Sequence, residues 1–352
     1  MKLSVLALCL VPAALSAQEA ASGFELRASL SSTASMPTDA PHPVEAEVRS
    51  LLYPTWKLSS HWALAGTIQT RVQLSHAGDG SVNFAPGERD RTDMLQAYIS
   101  YSRIWSNGSF AFRAGQLSTA FGSFLLRYDD SQNPLIQAPL AYGYYTPVSP
   151  VGVAGAQADL TLGKLDFRAQ AATSSPANPR SLTESDQYRN WAGGVGYTIR
   201  QGLRVGLSGY RGPYLDPHYP FYFPGEAKPH DLPASGWGAD AQWGHGGWNF
   251  YGEWQHFQMT YRAIPDYWEH TGYGEARRVL TPRWYVAARI GYLRASAFPG
   301  EQRYEMVAGY RPGANQIIKV GYQLDQSITG RKSGGIAVQF ATTFRALALS
   351  RE

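Results

Sequence analysis

Apolar residues alternate with small or polar ones, at a period of two, along most of this 352-residue chain. Trp284, Val286, Ala288, Ile290 and Tyr292 alternate with Tyr285, Ala287, Arg289 and Gly291. Phe110, Phe112 and Ala114 alternate with Ala111, Arg113 and Gly115, and Leu203, Val205 and Leu207 with Arg204, Gly206 and Ser208. Side chains on a strand point to opposite faces in turn, so this pattern specifies strands with one apolar face. About sixteen such segments begin near residues 24, 43, 61, 92, 109, 150, 164, 188, 202, 235, 247, 270, 283, 303, 315 and 334. No helical periodicity competes with them, and the expected class is all-β.

The connections alternate between short and long. Ser106-Asn107-Gly108, Leu162-Gly163-Lys164, Arg200-Gln201-Gly202 and Gly244-His245-Gly246-Gly247 are tight turns with glycine where special backbone angles are needed. Between them lie long stretches at 32–42, 76–91, 119–149, 174–187, 212–234, 260–269, 295–302 and 326–333. Short periplasmic turns and long extracellular loops are the mark of an outer-membrane barrel. Hydrocarbon offers no partner to a free strand edge, so a membrane sheet must close on itself. The expected architecture is therefore a transmembrane antiparallel β-barrel of about sixteen strands over residues 18–344, followed by a short periplasmic tail at 345–352. A barrel of 16 to 18 strands leaves an aqueous channel. The mean hydropathy of −0.30 is compatible, because each lipid-facing residue is diluted by a polar neighbour.

Residues 1–17 read as a cleaved export signal: Lys2, an apolar run from Leu3 to Leu15, then Ser16 and Ala17. The sole cysteine, Cys9, lies inside that run, which leaves the remainder without disulfides or cysteine metal sites. Charged residues are 16% of the chain, below the roughly 25% of ordinary soluble domains. Ten tryptophans accompany that low charge, and Trp62, Trp191, Trp237, Trp243, Trp248, Trp254, Trp268 and Trp284 fall near strand ends or on apolar faces, as in an interfacial girdle. Without Lys2, 30 of the 31 basic residues face 27 acidic ones, too small an excess for nucleic-acid binding. A soluble propeller or solenoid would show a fixed repeat period, and none is present.

The segment Arg113-Ala114-Gly115-Gln116-Leu117-Ser118-Thr119-Ala120-Phe121-Gly122 resembles the strand end of the phosphate-selective porin O/P family and its sixteen-stranded relatives. That family usually has proline before the aromatic, where Ala120 stands here. Gly335 to Phe344 is similar to the terminal assembly strand of outer-membrane proteins, although Arg345 to Glu352 follow it. The resemblance implies a bacterial outer-membrane porin: a trimer surrounded by outer-membrane lipid, passing small hydrophilic solutes or ions, with no cofactor, no nucleic-acid partner and no enzymatic activity. It also implies that the loop at 119–149 folds inward as a constriction carrying Arg127, Asp129, Asp130, Tyr142, Tyr144 and Tyr145.

Alternation places Arg71, Arg113, Arg168, Arg204, Arg289, Arg303 and Lys319 on the inner face, with Asp159, Asp166, Asp240, Glu253, Glu305 and Asp325. Arg71, Arg113, Arg168, Arg289 and Lys319 are the candidate channel-lining cations, and rings of this kind bias which ions pass. Nearly balanced charge leaves at most a weak anion preference. His218, His230 and Asp231 share one proline-rich loop, but their spacing is no metal motif, and Gly-x-Ser-x-Gly and His-Glu-x-x-His are both absent. The reading from a different class is a barrel with a plugged lumen, acting as an enzyme or surface-binding protein.

Overall fold

The computed structural model describes residues 22–38, 44–76, 82–84, 91–142, 148, 150–175, 189–213, 233–260, 265–296 and 300–350. Seventeen strands form one antiparallel sheet. They are β1 (Gly23–Pro37), β2 (Val44–Lys57), β3 (Trp62–His76), β4 (Val82–Phe84), β5 (Arg91–Trp105), β6 (Gly108–Leu117), β7 (Val153–Leu162), β8 (Leu165–Ala172) and β9 (Asn190–Arg200). The second half holds β10 (Leu203–Pro213), β11 (Pro233–His245), β12 (Trp248–Met259), β13 (Tyr267–Val279), β14 (Trp284–Ala295), β15 (Glu301–Tyr310), β16 (Gln316–Ser327) and β17 (Lys332–Ser350). β4 is a three-residue addition that pairs only with the loop end of β3. The other sixteen are the staves of a barrel, each paired with its sequence neighbours. β1 pairs with β17 and closes it.

Closure leaves no stave with an open edge, the condition hydrocarbon imposes. The outer face is apolar along its height: Leu207 is 62% exposed, Ile290 54% and Met306 68%. Surfaces of that kind are stable against lipid, not water. Together the closed sheet and its apolar belt are those of an outer-membrane type of β-barrel. Glycine shapes the tight turns where backbone angles demand it, as at Gly163 (φ 57°) and at Gly246–Gly247 (φ 56° and 84°).

β17 departs from the sequence reading. Residues 345–350 are strand, not tail, and pair with Gly23–Arg27. The register slips between Leu26/Leu347 and Arg27/Arg345, leaving Ala346 as a bulge. One extra residue reverses the parity of the strand. Leu347 and Leu349 therefore reach the outer face, 43% and 58% exposed, although they sit at odd positions like the inward Gln339 and Ala341. β1 also runs on to Pro37, into what reads as loop in the sequence. The export signal lies outside the described residues.

Candidate functional site

The chain between β6 and β7 turns into the barrel. Near the end of β6, Gly115 has φ +138°, and a Cβ there would collide with the Ala97 carbonyl and Tyr98. Gly122 (φ +79°) redirects the chain again, ahead of a single 3₁₀ turn at Phe124–Arg127. Asp129 closes the next turn, its carbonyl accepting from the Gln132 and Asn133 amides and its carboxylate from the Ser131 amide at 2.9 Å. Apolar residues then lead the loop onto the wall. Phe121, Ala141, Tyr142 and Val148 pack with Tyr210, Phe257, Met259 and Tyr273 from β10, β12 and β13. Leu135 and Ile136 pack with Tyr285, Ala287, Val307, Ile317 and Ala341 from β14 to β17. Leu135 and Val148 are fully buried, so the loop shares a core with the wall inside the barrel.

Charged groups fix its position on both sides. On β1 to β3, Asp129 accepts from Ser29 Oγ (2.8 Å) and Tyr53 OH (2.6 Å), Asp130 pairs with Arg49 (2.5 Å) and accepts from Ser31, and Tyr128 OH donates to Gln69 (2.8 Å). On the far side, Glu253 accepts from Ser123 Oγ (2.9 Å), Tyr273 OH (3.1 Å) and Tyr142 OH (2.5 Å). Arg127 pairs with Glu275 at 2.6 Å and lies 3.9 Å from the Tyr251 ring centre. Burial opposes the charge of Arg127, but Glu275, aided by Tyr273 and Tyr251, outweighs it and raises the guanidinium above its ordinary pKa. Glu305 accepts from the Ile136 and Gln137 amides (2.8 and 3.0 Å) and pairs with Arg289 at 3.0 Å. Lys319 donates to the Asp130 and Leu135 carbonyls (2.6 and 3.0 Å) and to Gln339 (2.8 Å).

Several expected site residues thus take other positions. Arg289 and Lys319 point inward, but beneath the loop, with side chains 3% and 0% exposed. Asp129 and Asp130 grip the wall and are not arrayed across an open gap. Tyr142 is buried against Glu253, and Tyr144 and Tyr145 lie outside the described residues, as do His218, His230 and Asp231. Among the described residues no group of three potential metal ligands occurs. The anchors Arg49, Tyr53, Gln69 and Glu275 were not singled out in the sequence. Alternation assigns them to the inner face but does not say what meets them there.

The wall from β6 to β11 remains largely uncovered and carries a row of alternating charge. Arg168 donates to Asp159 at 2.8 Å, and Arg113 approaches the same carboxylate at 3.7 Å. Farther along, Arg204 binds both oxygens of Asp166 (2.6 and 3.0 Å) and one of Asp240 (2.8 Å). β9 stands between Arg204 and Asp166 and contributes Gly196 to the inner face; a Cβ there would strike both groups. Arg71 continues the pattern on β3, bound to Glu47 at 2.9 Å.

This is a sixteen-stave barrel with an apolar belt, an in-folded loop after its fifth stave, and a charged inner wall. Solved structures share the architecture. OprB of Pseudomonas putida superposes with a TM-score of 0.65 at 12% identity, over 92% of this chain and 94% of that one. An anion-selective porin from Comamonas acidovorans gives 0.60 at 10% identity, over 92% and 100%. The trimer form of OmpT, an outer-membrane protein of Vibrio cholerae, gives 0.57 at 10%, over 92% and 100%. The barrel has the porin fold. No family model matches this porin-like chain, and no curated protein matches it.

Proposed function

We propose that the barrel is a passive diffusion porin for small hydrophilic solutes, with its water path between the in-folded loop and the β6–β11 wall. The observation that carries this reading is the Arg113–Asp159–Arg168 and Asp166–Arg204–Asp240 row, which stays polar and accessible where the loop does not pack. A wholly plugged barrel would have no use for it. Each arginine in the row has a carboxylate partner, which keeps ion selectivity weak. The guanidiniums are nonetheless the more exposed partners, Arg113 at 27% against Asp159 at 19%, and Arg204 at 27% against Asp240 at 11%. That difference supports a slight preference for anions. We assign no catalytic role to any residue. The trimer is part of the proposal, supported by the shared fold with the OmpT trimer form. So is the narrower affinity to the phosphate-selective porin O/P family, supported by the Gly115–Gln116 strand end that launches the loop.

The test is a planar bilayer. Purified protein should insert in conductance steps, and a salt gradient should give a small reversal potential of the anion-selective sign. Silence across many insertions would replace the pore with a plugged, surface-binding barrel. A strong cation-selective potential would refute the assigned preference alone.

A further inference from the structure

On the outer wall, β10 to β15 line an apolar groove of about 630 Å³. Its floor consists of residues with little or no side chain: Gly252, Gly274, Ala276 and Ala288. Phe250 and Met306 stand at its sides. The volume lies within the roughly 300–1,000 Å³ of small-molecule sites. Four residues beyond Gly252 and Gly274 toward the loops, one cross-strand row faces outward, in which His256 opposes His270 and His270 opposes Arg294. The two imidazoles stack at 4.4 Å, with Trp254 6.3 Å and Trp268 5.1 Å from the His270 ring. Nitrogen donors thus sit on the loop side of a slot that takes hydrocarbon, with the row Trp254, Gly272 and Tyr292 between them.

From this we infer a docking site for an anionic phospholipid of the loop-side leaflet, one acyl chain in the groove and the phosphate on His256, His270 and Arg294. Two observations select a lipid over a second copy of the chain. The row ends in Arg294, whose positive charge is opposite to that of an anionic head group, and a surface lysine or arginine near such head groups contributes attraction. Tryptophan marks the plane where a barrel meets lipid head groups. The loop-side tryptophans are Trp191, Trp237, Trp254 and Trp268, confined to β9, β11, β12 and β13 around the groove. This wall therefore faces bilayer, and any contact between copies falls elsewhere on the barrel.

Native mass spectrometry of the detergent-purified protein tests the site with two probes of identical acyl chains, dioleoyl phosphatidic acid and dioleoyl phosphatidylcholine. The wild type should retain phosphatidic acid about fivefold better, the factor expected from a single surface basic residue. The variant H256Q/H270Q/R294Q should bind both lipids equally. G274L should lose both, because a side chain at Gly274 enters open space and fills the groove without a clash. Unchanged single-channel conductance and gel mobility confirm that each variant is folded, since none of these residues faces the lumen. Equal retention of the two lipids by wild type, a preference surviving in the triple variant, or undiminished binding by G274L overturns the inference. A change of oligomeric state in G274L with lipid binding intact also overturns it, and makes the groove a contact between copies.

Discussion

Lys319 is an ammonium with no exposed surface, held by two loop carbonyls and one amide oxygen. A buried cation is tolerated only when its donors are satisfied, and here all three are. Replacing it by methionine keeps the volume but orphans the Asp130 and Leu135 carbonyls. Hydrogen bonds from a charged donor contribute about 1.5–3 kcal/mol, so K319M should weaken local closure of the loop by roughly 3 kcal/mol. Hydrogen exchange at the Asn133 and Leu135 amides should then quicken by about a hundredfold, the factor that energy corresponds to. Unaltered protection would mean that the apolar contacts of Leu135 and Ile136 hold the loop alone. Such pairings are the least legible part of the sequence. Alternation places Lys319, Glu253 and Glu305 on the inner face, but the partner of each lies far along the chain. The candidate cations fall into two environments for the same reason: Arg113 and Arg168 meet the lumen, whereas Arg289 meets the loop.

At the scale of elements, the strands were legible in the alternation, whereas the inward course of the loop was legible only through the porin resemblance. Each of the sixteen staves begins within three residues of where the alternation begins, from Gly23 to Lys332. An error in one register would turn every side chain of that strand to the wrong face, so the sequence must encode each strand strongly. The loop obeys no period. Its signal is indirect: Phe257, Val307 and Ile317 are apolar residues on a face that otherwise reads polar, and each sits against the loop. They look like lapses in the pattern until their neighbours are known. Replacing residues 124–147 by a short Gly-Ser linker should leave the barrel closed, since among the described residues no stave-to-stave pair involves this range, and should raise single-channel conductance. Unchanged conductance would show that the narrowest point lies elsewhere.

As a whole, the molecule is divided by what each surface meets. Lipid meets the apolar belt, the loop meets the apolar inner patches of β10 to β17, and water meets the charged row of β6 to β11. The distance between girdles fits a membrane. Ten residues separate Trp268 from Arg278, the cross-strand partner of Trp248. At about 3.3 Å per residue and a tilt near 40°, they rise about 25 Å, the height of the apolar band in outer-membrane barrels. Every one of the ten tryptophans occupies an outward strand position, six toward the short turns and four toward the loops. Indole emission therefore reports the solvent outside the barrel and is blind to what passes through it. Refolding from urea into vesicles should shift the spectrum strongly to the blue, with further quenching by brominated acyl chains. Iodide or acrylamide confined to the channel should leave it unchanged. Quenching from within would place at least one indole on the wrong side of the wall.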